Sequence, residues 1–137
     1  MSEIRLLSID DDKEISHLVG RIAMEMGFSV CIANDPDDII PLYKSFQPQI
    51  IILDILMPET DGFEVLKFLS EDKSKSHILI LSGSRYNDLA TNMLIALNLN
   101  IAGNLYKPFR LETLRQALME IKCIIKSMES QDANQWK

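Results

Sequence analysis

A chain of 137 residues with 47% hydrophobic content is long enough for one well-packed core and too short for two ordinary domains. Its formal net charge of −6 argues against a surface that grips a phosphate backbone, so direct nucleic-acid binding is not expected of it. No apolar run approaches the roughly 18 residues that cross a bilayer, Met1-Ser2-Glu3 lacks the start of a secretory signal, and Cys31 and Cys123 form no close-spaced pair. The expectation is a cytoplasmic protein with both thiols in its core and no membrane association.

Short apolar runs alternate with amphipathic stretches. Ile4 to Ile9 is the first predicted strand, followed by a helix whose Ile15, Leu18, Val19, Ile22 and Met26 recur at helical spacing until Gly27 closes it. Ser29 to Ala33 is a second strand. Asp35-Pro36 then opens a helix with Ile39, Leu42, Tyr43 and Phe46 as its buried stripe, and Pro48 stops it. The unbroken run Ile50-Ile51-Ile52-Leu53 predicts a central strand buried on both faces, with Asp54 at its end. After a proline-containing loop, Phe63, Leu66 and Leu69 mark a third helix and Ile78 to Leu81 a fourth strand. Leu89, Met93, Ala96 and Leu97 describe a fourth helix, Ile101 to Tyr106 a fifth strand, and Leu111, Leu114, Leu118, Ile121 and Ile125 a fifth helix. Residues 1–126 are expected to form one domain, and Ser127 to Lys137 a polar, frayed tail. The pattern predicts a doubly wound, flavodoxin-like α/β fold: five parallel strands with helices on both faces.

In such sheets ligands bind outside the carboxyl ends of the strands, near the point where strand order reverses. Strand one ends in Asp10-Asp11-Asp12, strand three in Asp54, strand four in Ser82, and strand five runs into Lys107-Pro108. Crowded carboxylates repel one another unless a proton or a cation neutralises them. Mg²⁺, which is held by one or two carboxylates together with waters and a phosphate, suits this set better than Ca²⁺. A lysine and a hydroxyl beside an already ionised carboxylate complete the requirements of phosphoryl transfer.

These residues resemble the CheY-like receiver domains of bacterial two-component response regulators over nearly the whole chain. Leu7-Ser8-Ile9-Asp10-Asp11-Asp12 is similar to that family's acidic turn, and Asp54-Ile55-Leu56-Met57-Pro58-Glu59-Thr60-Asp61-Gly62 to its phosphoacceptor loop. Ser82-Gly83 is similar to its switch hydroxyl and small neighbour, and Lys107-Pro108-Phe109 to its lysine motif with a cis peptide bond. The resemblance implies that Asp54 accepts the phosphoryl group, while Asp11 ligates Mg²⁺ directly with Asp54 and the backbone carbonyl of Leu56. Asp10 would act beside them, directly or through water, and Asp12 as a helix cap. Lys107 would pair with one phosphoryl oxygen, and Ser82 would donate its hydroxyl to another once Asp54 is modified.

The resemblance also implies a histidine kinase or histidine phosphotransfer protein as donor, and an effector reached through the face of the fourth helix, fifth strand and fifth helix. Arg85, Asn100 and Arg115 are its candidate contacts. No enzymatic activity is implied beyond self-catalysed phosphotransfer and slow autodephosphorylation. One departure stands out: Asn104 occupies the position, three residues before the lysine, where most receivers carry an aromatic ring, and it is expected to stay near the surface.

Taken singly, Asp10 to Asp12 reads as a helix cap, Asp61-Gly62 as a turn and Lys107 as a surface charge. His17 and His77 lack partners at ligand spacing, and the seven methionines read as apolar filler. A haloacid-dehalogenase-type phosphatase would explain Asp10-x-Asp12 but not Glu14 two residues later, and it leaves Asp54 without a role. A phosphorylation-independent binding module on the same fold is the other alternative, and Asn104 keeps it open.

Overall fold

The computed structural model describes residues 3–55, 62–83 and 97–134. Its elements run β1 (Arg5–Ile9), α1 (Lys13–Glu25), β2 (Ser29–Ala33), α2 (Pro36–Phe46), β3 (Ile50–Asp54), α3 (Gly62–Glu71), β4 (His77–Ser82), β5 (Asn100–Tyr106) and a C-terminal helix, α4 (Leu111–Asn134). The predicted helix marked by Leu89, Met93 and Ala96 lies outside the described residues.

The five strands form one sheet in the order β2-β1-β3-β4-β5, every pairing parallel. The chain moves outward from β1 to β2, then returns to the far side of β1 to lay down β3. Strand order therefore reverses between β1 and β3, which opens a crevice above their carboxyl ends.

The central run of β3 explains its own placement. Successive side chains of a strand point to opposite faces, so Ile50 and Ile52 join α1 and the C-terminal helix in one apolar layer. Ile51 and Leu53 join α2 and α3 in the other. All four are at most 1% exposed, as the absence of alternation required.

The helices start and stop where their caps dictate. Asp12 accepts hydrogen bonds from the amides of Glu14 and Ile15 at 3.0 and 3.2 Å, and Asp35 accepts one from Asp37 with Pro36 at the first helical position. Gly27 closes α1 with a φ of 91°, a conformation that favours glycine.

Several sequence expectations need correction. Leu18 is half-exposed, because the face of α1 that meets the sheet carries the small residues Ser16, Gly20 and Ala23 beside Val19 and Ile22. A Cβ on Gly20 would come within 3.0 Å of Ile32, so small residues seat the helix closely and turn Leu18 aside. Leu111, expected in the core stripe, is exposed at the start of the C-terminal helix. Cys123 is exposed and only Cys31 is half-buried, while Met24, Met119 and Met128 are exposed rather than filler. The C-terminal helix continues to Asn134, so the stretch from Ser127 to that point is helical rather than frayed.

Between β4 and β5 the register slips at Ile78/Leu79, with Ala102 the extra residue. Gly103 adopts a φ of 150° there. Beyond the slip, Leu81 faces Leu105 and Ser82 faces Tyr106, which delivers Lys107 beside Ser82. The Lys107 amide then donates to the Ser82 carbonyl at 2.9 Å.

Candidate functional site

Asp10 and Asp54 end adjacent strands on either side of the reversal point, and both are buried. Asp10 Oδ1 accepts the amide of Asp12 at 2.9 Å, which curls the acidic turn back on itself. Lys107 Nζ donates to Asp10 Oδ2 at 3.0 Å and to Asp54 Oδ2 at 3.2 Å, bridging two strands that lie 44 residues apart in sequence through a third element. The Lys107–Pro108 peptide is cis, as its resemblance to the lysine motif implied.

Asp11 completes the cluster. Carboxylate oxygens of Asp10, Asp11 and Asp54 lie within 4.8 Å of one another. Burial pushes the Asp11 carboxyl above its ordinary range, and the Asp10 charge adds to the rise while Lys107 opposes it only weakly. For Lys107, burial works to lower the ammonium's pKa, yet its bonds to Asp10 and Asp54 and their charges outweigh that and raise it. The lysine is therefore cationic at neutral pH, and it faces three carboxylates alone among the described residues.

That imbalance is the chemistry of a divalent-cation site. In an octahedron with bonds of about 2.1 Å, neighbouring ligand oxygens sit about 3 Å apart and opposite ones about 4 Å, a spread this cluster can meet. The donor set is all oxygen, as Mg²⁺ requires. Leu56, whose carbonyl was assigned to the same ion, lies outside the described residues, as do Met57 to Asp61.

Ser82 ends β4 with 1% exposure, and its hydroxyl has no hydrogen-bond partner among the described residues. A buried hydroxyl in that state costs about 1–3 kcal/mol. Asn104 is half-buried in β5 opposite Ile80, further inward than the sequence suggested. Gly62 has a sharper role than a turn residue: a Cβ there would lie 2.6 Å from the Ile55 carbonyl oxygen and 3.0 Å from that of Asp54. Only glycine lets α3 begin against the backbone that carries Asp54.

His17 is exposed, and burial lowers the pKa of half-buried His77, which lines a cleft of about 640 Å³ at the amino ends of the strands. Neither approaches the acidic cluster. Sequence reasoning passed over Asn34 and Ser16. The amide of Asn34 donates to the Asp10 carbonyl and to Ser16 Oγ, both at 2.7 Å. The signal was available, since Asn34 immediately follows β2 and the rule that directs attention to carboxyl ends of strands applies there too.

Residues 6–119 match the family model described as the response regulator receiver domain. The chain is 29% identical over 130 residues to the response regulator MprA of Mycobacterium leprae, covering 95% of this chain and 54% of that protein. It is 30% identical over 132 residues to the probable C4-dicarboxylate response regulator DctR of Bacillus subtilis, covering 95% and 57%. It thus spans about half the length of these relatives. The signal receiver domain of a putative LuxO repressor protein from Vibrio parahaemolyticus has the same fold, with a TM-score of 0.79 at 22% identity over 96% of this chain and 97% of that one.

Proposed function

The chain belongs to the response-regulator receiver-domain family, and from that premise we propose that Asp54 is its phosphoacceptor, supplied by the phosphohistidine of a histidine kinase or a histidine phosphotransfer protein. The observation that carries the proposal is the Lys107 ammonium bridging Asp54 and Asp10 beside a third carboxylate. An Asp54 carboxylate oxygen attacks phosphorus as the phosphorus–nitrogen bond breaks, and the departing imidazole keeps the bonding pair and a proton. No general base is required, because the nucleophile is already an anion.

Asp10, Asp11, Asp54 and the Leu56 carbonyl would hold the Mg²⁺. When bound, the ion neutralises charge spread over the transferring oxygens. Lys107 exchanges one of its carboxylate contacts for a phosphoryl oxygen, and Ser82 donates its hydroxyl to another. Receivers transmit the modification by shifting between two packings, so the signal depends on contacts that differ between them.

The output partner is proposed to engage the face of the fourth predicted helix, β5 and the C-terminal helix. Exposed Asn100 remains a candidate contact, and Arg85 lies outside the described residues. Exposed Arg115, which pairs with Glu25 of α1 at 3.4 Å, is also kept as a candidate contact. No described helix is long and apolar enough to cross a membrane, and the cytoplasm is the compartment we propose.

The test is intact mass after incubation with acetyl phosphate and Mg²⁺. Wild type should gain one phosphoryl mass and Asp54→Asn none. A gain that persists in Asp54→Asn refutes the assignment.

A further inference from the structure

We propose that Asn34, acting with Ser16, is a positioning residue that clamps the acidic turn and thereby sets the affinity of the cluster for Mg²⁺; this rests on reading Asp10, Asp11 and Asp54 as the metal-binding set. The turn has a mechanical problem. Asp10 and Asp11 are adjacent, their carboxylates share one small volume with Asp54, and mutual repulsion favours opening the turn. The side chain of Asp10 is tied inward by Lys107 and the Asp12 amide. Its backbone carbonyl needs a separate hold, because rotation of the peptide that follows it carries Asp11 away from its neighbours.

Asn34 supplies that hold. Its Nδ2 donates to the Asp10 carbonyl and to Ser16 Oγ at 2.7 Å each, and a backbone carbonyl can only accept, which fixes the orientation of the amide. The Ser16 hydroxyl, having accepted from Asn34, donates to the same carbonyl at 3.3 Å. Ser16 is fully buried in α1. The Asp10 amide donates to the Ala33 carbonyl at 3.2 Å, so both sides of Asp10 are held by the residues that end β2. The carbonyl of Asp10 is thus pinned from β2 and from α1 together, outside the proposed coordination sphere. Groups that orient metal ligands in this way typically govern affinity by about 10- to 100-fold.

The experiment compares wild type, Asn34→Ala, Asn34→Asp and Ser16→Ala by ¹⁵N amide spectroscopy, with melting temperatures in chelator-containing buffer to follow folding. Without metal, loss of the clamp should speed hydrogen exchange at the Asp12 amide about five- to tenfold, as expected for one lost buried hydrogen bond, while β3 amides are unchanged. With Mg²⁺, the dissociation constant should rise about tenfold in Asn34→Ala, and less in Ser16→Ala, which keeps the direct bond from Asn34. An Asn34 variant that folds, exchanges at the wild-type rate and binds Mg²⁺ within twofold of wild type overturns the proposal. So does rapid solvent exchange of the Asn34 side-chain amide protons in wild type, which needs no variant. Failure of wild type to bind Mg²⁺ would instead remove the metal-site reading, and the metal-free exchange would still decide whether the clamp exists.

Discussion

Replacing Lys107 with Met keeps most of the side chain's volume and removes its charge, leaving Asp10 and Asp54 buried at 2% and 4% exposure without their common cation. The Coulomb attraction at 3.0 and 3.2 Å amounts to about 5 kcal/mol per contact at an effective dielectric of 20. Much of it is offset by desolvation of an ammonium that is only 23% exposed and of two carboxylates. A second bound comes from protonation, since neutralising an ordinary carboxylate at pH 7 costs about 4 kcal/mol, and a carboxylate that has lost the lysine need cost no more than that. Breaking a buried ion pair from one side costs about 3–5 kcal/mol, so Lys107→Met should lose about 2–4 kcal/mol in metal-free buffer at pH 7. In a domain of 137 residues that corresponds to roughly 6–15 °C in Tm.

Urea unfolding across pH separates this from a packing defect. The penalty should shrink toward pH 5, where protonating an ordinary aspartate costs only about 1.5 kcal/mol. The folded-state pKa of Lys107 is raised, so its contribution is fully present below its unfolded pKa and lost as pH rises through the folded one; the gap should close at strongly alkaline pH as well. Mg²⁺ should stabilise the variant more than wild type, because it replaces the missing charge. Stability within about 0.5 kcal/mol of wild type at pH 7, or a deficit unaltered by pH and Mg²⁺, would refute the reasoning.

Asp11→Asn should abolish Mg²⁺ binding yet raise the metal-free Tm at neutral pH. The folded pKa of Asp11 is raised, so its protonated form is favoured below the unfolded value near 3.8 and that stability is lost as pH rises through the folded value; the neutral amide escapes the loss. A lower metal-free Tm at pH 7 contradicts this. Gly62→Ala should destabilise by about 3 kcal/mol or more, because backbone atoms of Ile55 at 2.6 and 2.7 Å cannot swing aside as a side chain can; urea unfolding within 1 kcal/mol of wild type would show that the start of α3 yields. Ser82→Ala should leave stability unchanged or raise it by about 1 kcal/mol, since the hydroxyl removed has no partner among the described residues. Beryllofluoride with Mg²⁺ is expected to shift the amides of Gly83 and Leu97 in wild type and not in this variant, and equal shifts in both would exclude the hydroxyl from the switch.

Some of this was legible in the residues alone. The unbroken apolar run at 50–53 could only be a strand covered on both faces, because alternation is lost when neither face meets water. Asp12, Asp35 and Gly27 announced helix ends through local hydrogen bonding and backbone freedom, which depend on a few neighbours. The acidic turn, Asp54, Ser82 and Lys107 were singled out because each follows a predicted strand, and parallel topology brings such ends together.

Tertiary structure decided the rest. Counting apolar residues could not show that Ser16, Gly20 and Ala23 form the seated face of α1, since closeness of approach depends on what β2 presents to them. The slip at Ala102 is invisible in a strand pattern, yet it sets whether Lys107 arrives beside Ser82 or one residue away, on the other face. The clamp of Asn34 on Asp10 joins residues 24 positions apart and exists only after β1, β2 and α1 have packed. Local signals determine which residues end an element; the distances among those ends are set by register and packing, which no short window of sequence contains.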